Sequence, residues 1–374
     1  HCTVIAWRPF SGEVTLLPVM NEPSPSPLAD GPGLWPLITC PGIPLSEQQA
    51  ETLRPVLERF SKRIKPPLTV HLLGENAAVF GYDDLSPQEV EKHLLGHRFL
   101  RHKRLQWADF IAAKGIETVV LKGMATAHDI YPDPDLRHMS DMDLLVRRDD
   151  LGPLVTLLKA EGFKFHSGSQ VPPWGLITDA SFPPLISREG DVNIDIHIHP
   201  DDYPVHRSLS TAAVFADSRV IEAGTTRLRI PSRTHLMLLA ITNAGRDKSE
   251  KLCLKGLIDA LLFIENFASD IDWDEIETLA TEGGFLKPLG CFLALVTRLG
   301  VPPDHLPQHL IPHYRGFPAA GEFERLIGDF ETMFETPPSM LTRLRRETLL
   351  TAEWRTIWLD LWKNARPDSS PGSS

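Results

Sequence analysis

Residues Asp191-Val192-Asn193-Ile194-Asp195-Ile196-His197-Ile198-His199 alternate polar and apolar without an exception. A period of two belongs to a strand, where successive side chains point to opposite faces of the sheet. Val192, Ile194, Ile196 and Ile198 therefore share one face, directed at a core. The opposite face carries two carboxylates, an amide and two imidazoles. A strand face that merely meets water usually carries Thr, Lys, Glu or Ser, so this composition points to chemistry.

A second strand reads Ser140-Asp141-Met142-Asp143-Leu144-Leu145-Val146. Asp141 and Asp143 stand two apart, on one face and about 6–7 Å from each other at Cα. Aspartate is a poor strand former, and two on one face repel unless a cation lies between them. Such a pair suits hard divalent ions, which take oxygen ligands. Upstream, Leu121-Lys122-Gly123 closes another strand, and a glycine there lets backbone come close to a phosphate. Arg137 lies four residues before Asp141, and its guanidinium suits phosphate oxygens. Strand, glycine turn, short helix, loop and two-aspartate strand, with a carboxylate strand behind, is the layout of a two-metal phosphoryl- or nucleotidyl-transfer site.

The rest of the chain frames this centre. Residues 1–45 hold nine prolines and read as an extended arm, with one alternating stretch at Val14–Val19. Ser46 with Gln49 forms a capping box for a helix to about Ile64, kinked at Pro55, and Leu68–Leu73 reads as a strand. Ser86-Pro87-Gln88-Glu89 is a stronger helix start, with an N-cap, a first-turn proline and a capping glutamate. That helix runs to Ala113 and carries Arg98, Arg101, His102, Lys103 and Arg104, either a solvated face or a polyanion-binding one. Strands follow at Ile116–Leu121, Met142–Val146, Pro184–Ser187 and Asp191–His199, with helices at Met124–Ile130 and about Asp150–Glu161. Beyond Pro231 helix follows helix to about Lys363, and Pro367–Ser374 reads as a disordered tail. The expected architecture is α+β: residues 46–230 form a small mixed sheet backed by helices, and 231–366 an all-helical domain.

Composition narrows the partners. A net charge of −11 argues against nonspecific duplex DNA, which needs basic surface to displace counterions. No apolar run approaches the roughly 20 residues that span a bilayer. Cys2, Cys40, Cys253 and Cys291 form no CxxC pair and read as reduced thiols. The chain opens at His1 with neither a methionine nor a signal-like stretch, which reads as a native start that is missing or processed. A cytoplasmic protein is the default expectation.

Leu121-Lys122-Gly123, Tyr131-Pro132-Asp133-Pro134, Leu136-Arg137 and Ser140–Val146 together resemble the signature of the uncharacterised nucleotidyltransferase family, a branch of the DNA polymerase β-like superfamily. Leu157-Leu158, Gly162-Phe163 and Ile194-Asp195-Ile196-His197 fit the same pattern, over about residues 85–300. The wider superfamily has Gly-Ser or Gly-Gly where this chain has Gly123-Met124, so the usual hydroxyl contact to the triphosphate is missing. The resemblance implies a metal-dependent enzyme that moves an NMP from an NTP, ATP being the usual one, to an acceptor hydroxyl and releases pyrophosphate. It makes Asp141 and Asp143 the paired ligands of two Mg²⁺ (or Mn²⁺) ions and Asp195 the third carboxylate. Lys122, Gly123, Arg137 and Ser140 become the nucleotide-binding residues, with Lys122 and Arg137 either touching the triphosphate or serving as ion-pair partners. The acceptor is left open: a small molecule, a peptide or protein side chain, or an RNA end.

Two other functions compete. Asp195, His197 and His199 could ligate a transition metal in a hydrolase, since His-x-His presents two imidazoles. The other is a nucleotide sensor that binds without transferring, against which the presence of all three carboxylates, Asp141, Asp143 and Asp195, weighs; His197 could simply orient Asp195. In the helical half, Asp259 within Leu257–Leu262 is either a buried hydrogen-bonded carboxylate or a ligand contact. Trp354, Trp358 and Trp362 recur every four residues as a packing stripe.

Overall fold

The computed structural model describes residues 35–51, 66–80, 86–166, 180–202, 205–246 and 253–311. Its centre is a five-stranded sheet in the order β1-β2-β5-β4-β3, from β1 (Thr118–Val120), β2 (Met142–Val146), β3 (Lys164–Phe165), β4 (Leu185–Ile186) and β5 (Asn193–His197). β2 and β5 run parallel and every other pair is antiparallel, so the sheet is mixed. The alternation in β5 works as expected: Val192, Ile194 and Ile196 are fully buried in the core. Leu144, Leu145 and Val146 of β2 are equally buried, from the middle of the sheet.

Helices back the sheet. The described helices are α1 (Trp35–Thr39), α2 (Pro66–Leu73), α3 (Pro87–Ala113), α4 (Lys122–Asp129), α5 (Leu151–Ala160), α6 (Thr211–Ala216), α7 (Arg233–Arg246), α8 (Cys253–Phe267), α9 (Trp273–Gly283) and α10 (Leu286–Arg298). The α3 start is the one expected: Ser86 Oγ accepts from the Glu89 amide at 3.2 Å while Glu89 accepts from the Ser86 amide at 3.1 Å. Ser46 and Gln49 make the same reciprocal pair at 3.3 and 2.9 Å, although residues 52–65 of that helix lie outside the described residues.

Three features differ from the sequence reading. Leu68–Leu73 belongs to helix α2, not to a strand. A short apolar run looks alike in either state, and Pro66-Pro67 at its head is a helix-starting signal. β3 was not expected, and neither was the hairpin of β6 (Arg219–Ala223) and β7 (Thr226–Ile230), which packs on β1 and α3. The strand proposed at Asp191–His199 is shorter, ending at His197. Cys40 and Cys291 are free thiols. No described helix is long and apolar enough to cross a membrane. Of the extended arm expected at 1–45, the described part is not all extended: Trp35–Thr39 form α1, with Trp35, Leu37 and Ile38 buried in the core. Residues 1–34, the helices expected beyond residue 311, the tryptophan stripe and the tail lie outside the described residues.

Candidate active site

Parallel pairing of β2 with β5 sets the site. Asp143 lies directly beside Asp195, and Leu145 beside His197. Two carboxylates that are 52 positions apart in the chain thus become neighbours on one polar face. His197, 2% exposed, closes the group: its Nε2 lies 2.9 Å from Asp143 Oδ1 and 3.8 Å from Asp195 Oδ2. One ligand atom from each of Asp143, Asp195 and His197 falls within 4.8 Å of the others, close enough to share a cation. Asp195 Oδ1 and His197 Nδ1 are buried with no hydrogen-bond partner. A buried carboxylate oxygen left unpaired is unfavourable unless a ligand joins it. The donor set of oxygens and one imidazole, with that orphaned oxygen, fits a divalent cation.

Asp141 stands at the mouth of β2, one residue before its first paired position. Burial pushes its carboxyl above the usual range, and the Asp143 charge pushes it further, while a hydrogen bond from Ser140 works the other way. Asp195 is raised too, by burial first; His197 opposes the shift and Asp143 adds to it. Lys122 lies within electrostatic reach of both Asp141 and Asp195. Its φ of 43° is the one left-handed value among the described non-glycine residues. That conformation is unfavourable by about 1–2 kcal/mol for a residue with a Cβ, and such strain gathers at functional sites. Lys122 also opens α4, whose N-cap residue Leu121 makes no side-chain hydrogen bond to the first-turn amides.

Arg137 is placed differently from a bare phosphate contact. Its guanidinium grips Asp259 of α8 as a fork, with Nε–Oδ1 at 2.8 Å and Nη2–Oδ2 at 2.7 Å. Tyr131 donates its hydroxyl to the same carboxylate at 2.8 Å. Burial alone would lower the Arg137 pKa; the charge and hydrogen bonds of Asp259, with the charges of Tyr131 and Asp141, together outweigh it and raise the pKa. Asp259 is therefore the buried hydrogen-bonded carboxylate of the sequence reading, 4% exposed. Gly123 is where this strut passes: a Cβ there would lie 2.9 Å from Arg137 Nη1. The glycine thus makes room for a side chain of the protein itself.

Of the basic run on α3, Arg98 and His102 are exposed and Arg104 is buried, and three of its cations pair with carboxylates of the chain. Arg98 and Arg101 both donate to Asp135, at 2.8 and 2.7 Å, and Lys103 pairs with Asp191 at 3.0 Å. Asp191 is thereby held apart from the carboxylate pair. His199 does not join His197: it stacks on His206, ring centroids 4.6 Å apart, so the His-x-His pair is not brought into one ligand set. A second acid–imidazole group, Asp217, His235 and Glu275, shares no residue with the group of Asp143, Asp195 and His197. The Tyr131–Asp259 contact escaped sequence reasoning, since it joins residues 128 positions apart through long-range packing.

Residues 72–300 match the family model described as an uncharacterised nucleotidyltransferase. The chain belongs to that family. The nucleotidyltransferase match runs from the end of α2 to just beyond α10, so it takes in the whole five-stranded sheet, the hairpin and the helices that hold Asp259. No curated protein matches the chain.

Proposed function

We propose that this protein is a polymerase β-like nucleotidyltransferase that moves an NMP from an NTP, ATP in the first instance, to an acceptor hydroxyl. The observation that carries the reading is the register of β2 and β5, which sets Asp143 beside Asp195 with an orphaned buried oxygen between strand and ligand space. Asp141, Asp143 and Asp195 would hold two divalent ions, Mg²⁺ or Mn²⁺. When bound, such ions neutralise phosphate charge and lower the pKa of an acceptor hydroxyl. The chain's own residues do the remainder. Asp195 Oδ1, free of hydrogen bonds, takes the acceptor's proton as the acceptor oxygen attacks the α-phosphorus. The bond from that phosphorus to the pyrophosphate oxygen breaks, and pyrophosphate leaves. Ser140 holds Asp141, and His197 holds Asp143. Lys122 and the uncapped amides of α4 meet the triphosphate, as helix N-termini meet anions generally. The absent hydroxyl at Met124 throws more of that work onto Lys122.

A melting series tests the reading. Mg²⁺ and ATP together should raise the melting temperature more than either alone, since a ligand at 100 times its dissociation constant stabilises by about 2.7 kcal/mol. Asp143→Asn should remove the combined shift. No shift with Mg²⁺–ATP, together with stoichiometric zinc that His197→Ala releases, would contradict it.

A further inference from the structure

Arg104 sits in α3 at 2% exposure and is the bulkiest fully buried side chain described. A guanidinium is always charged and carries five donors. Here the contacts are meagre. Nη2 donates to the Met139 carbonyl at a long 3.4 Å, and Nε has no partner. Its neighbours on the same helix are all matched with carboxylates: Arg98 and Arg101 with Asp135, Lys103 with Asp191. Arg104 feels the charges of Asp141 and Asp191 without an ion pair to either, and Asp191 is already held by Lys103 and by Ser187 at 2.8 Å. A buried cation without a counter-ion is unfavourable, and its pKa is lowered by that burial. The described structure is therefore short of a ligand at this edge of the site, and the ligand must be anionic at Arg104.

We infer that Arg104 binds a phosphate oxygen of the nucleotide, the contact for which Arg137 is already committed to Asp259. The assignment rests on the nucleotidyltransferase reading and adds to it the residue that grips the phosphate chain. A guanidinium fits phosphate oxygens by paired donors, and in a buried setting such a bond is stronger than at the surface. A phosphorylated acceptor could present the same oxygen, so the test must separate the two sources.

The experiment titrates full-length wild type, Arg104→Gln and Arg104→Lys by calorimetry with Mg²⁺–tripolyphosphate, Mg²⁺–ATP, adenosine and inorganic phosphate. Loss of one charge-assisted contact predicts about 10- to 150-fold weaker tripolyphosphate and ATP binding in Arg104→Gln. Arg104→Lys should retain part of that affinity, and adenosine binding should be unchanged in both. If Arg104→Gln does not fold, Arg104→Lys decides, because it keeps the charge and loses only the fork. Wild-type tripolyphosphate affinity in the folded variants, or an equal loss for adenosine, overturns the assignment. So does loss of inorganic phosphate binding with Mg²⁺–ATP binding intact, which would place an acceptor phosphate there. Wild type that binds neither Mg²⁺–ATP nor Mg²⁺–tripolyphosphate overturns the nucleotidyltransferase reading itself.

Discussion

At the scale of single residues, the site is a set of charges held closer than water would allow. Asp141 and Asp195 sit above the ordinary carboxylate range, so the native state keeps protons that an unfolded chain has already released. Stability then falls as pH rises from about 3.9, the unfolded value, through the native pKa values, and stays lower above them. Without metal at pH 7, Asp195→Asn should therefore melt above wild type, and the gap should close below about pH 4. Thermal melts in EDTA across pH 3–8 check this; a wild type more stable than Asp195→Asn at neutral pH would show that the carboxylate has a cation of the protein's own. The same substitution, like Asp141→Asn and Asp143→Asn, should abolish pyrophosphate release. Lys122 offers a second trade between stability and activity. Lys122→Gly relieves the left-handed strain that Lys122→Ala retains, so it should be more stable than the alanine variant by up to about 1 kcal/mol. Both should bind Mg²⁺–ATP more weakly than wild type, read by titration.

At the scale of elements, the Arg137–Asp259 fork ties the loop before β2 to α8. Both side chains are nearly buried, at 11% and 5% exposure, so removing one leaves the other uncompensated. Asp259→Ala or Arg137→Ala should cost about 3–5 kcal/mol in urea unfolding. A loss of triphosphate affinity with stability unchanged would return Arg137 to the nucleotide. This element also shows what the sequence could and could not reveal. The bond joins residues 122 positions apart, and no local pattern announces such a pair. Strand β5, by contrast, was legible from its alternation, and β2 from two aspartates leading into the apolar run Leu144-Leu145-Val146. The β6–β7 hairpin carried a signal that went unread: Thr226-Arg227-Leu228-Arg229-Ile230 alternates, and Gly224, at φ 70°, makes the turn before it. Helix α2 was ambiguous at its length. His197 was legible as a polar strand residue, but its bond to Asp143 depends on cross-strand register, which the sequence leaves open.

At the scale of the whole molecule, the sheet brings Asp143 and Asp195 together, α3 brings Arg104 to the same edge, and α8 braces the loop between them through Asp259. The family match covers all of these elements at once, so the helices belong to the family's domain as much as the sheet does. On the proposed reading this assembly transfers the nucleotidyl group, with the α-phosphorus kept and the β- and γ-phosphates released. Incubating the full chain with α-labelled and, separately, γ-labelled ATP, Mg²⁺ and a lysate fractionated into protein, RNA and small molecules measures it directly. The α-label should become fixed on one fraction while the γ-label appears as pyrophosphate, and Asp143→Asn should give neither. Transfer of the γ-label to any acceptor, or α-label fixation that persists in Asp143→Asn, would contradict the account.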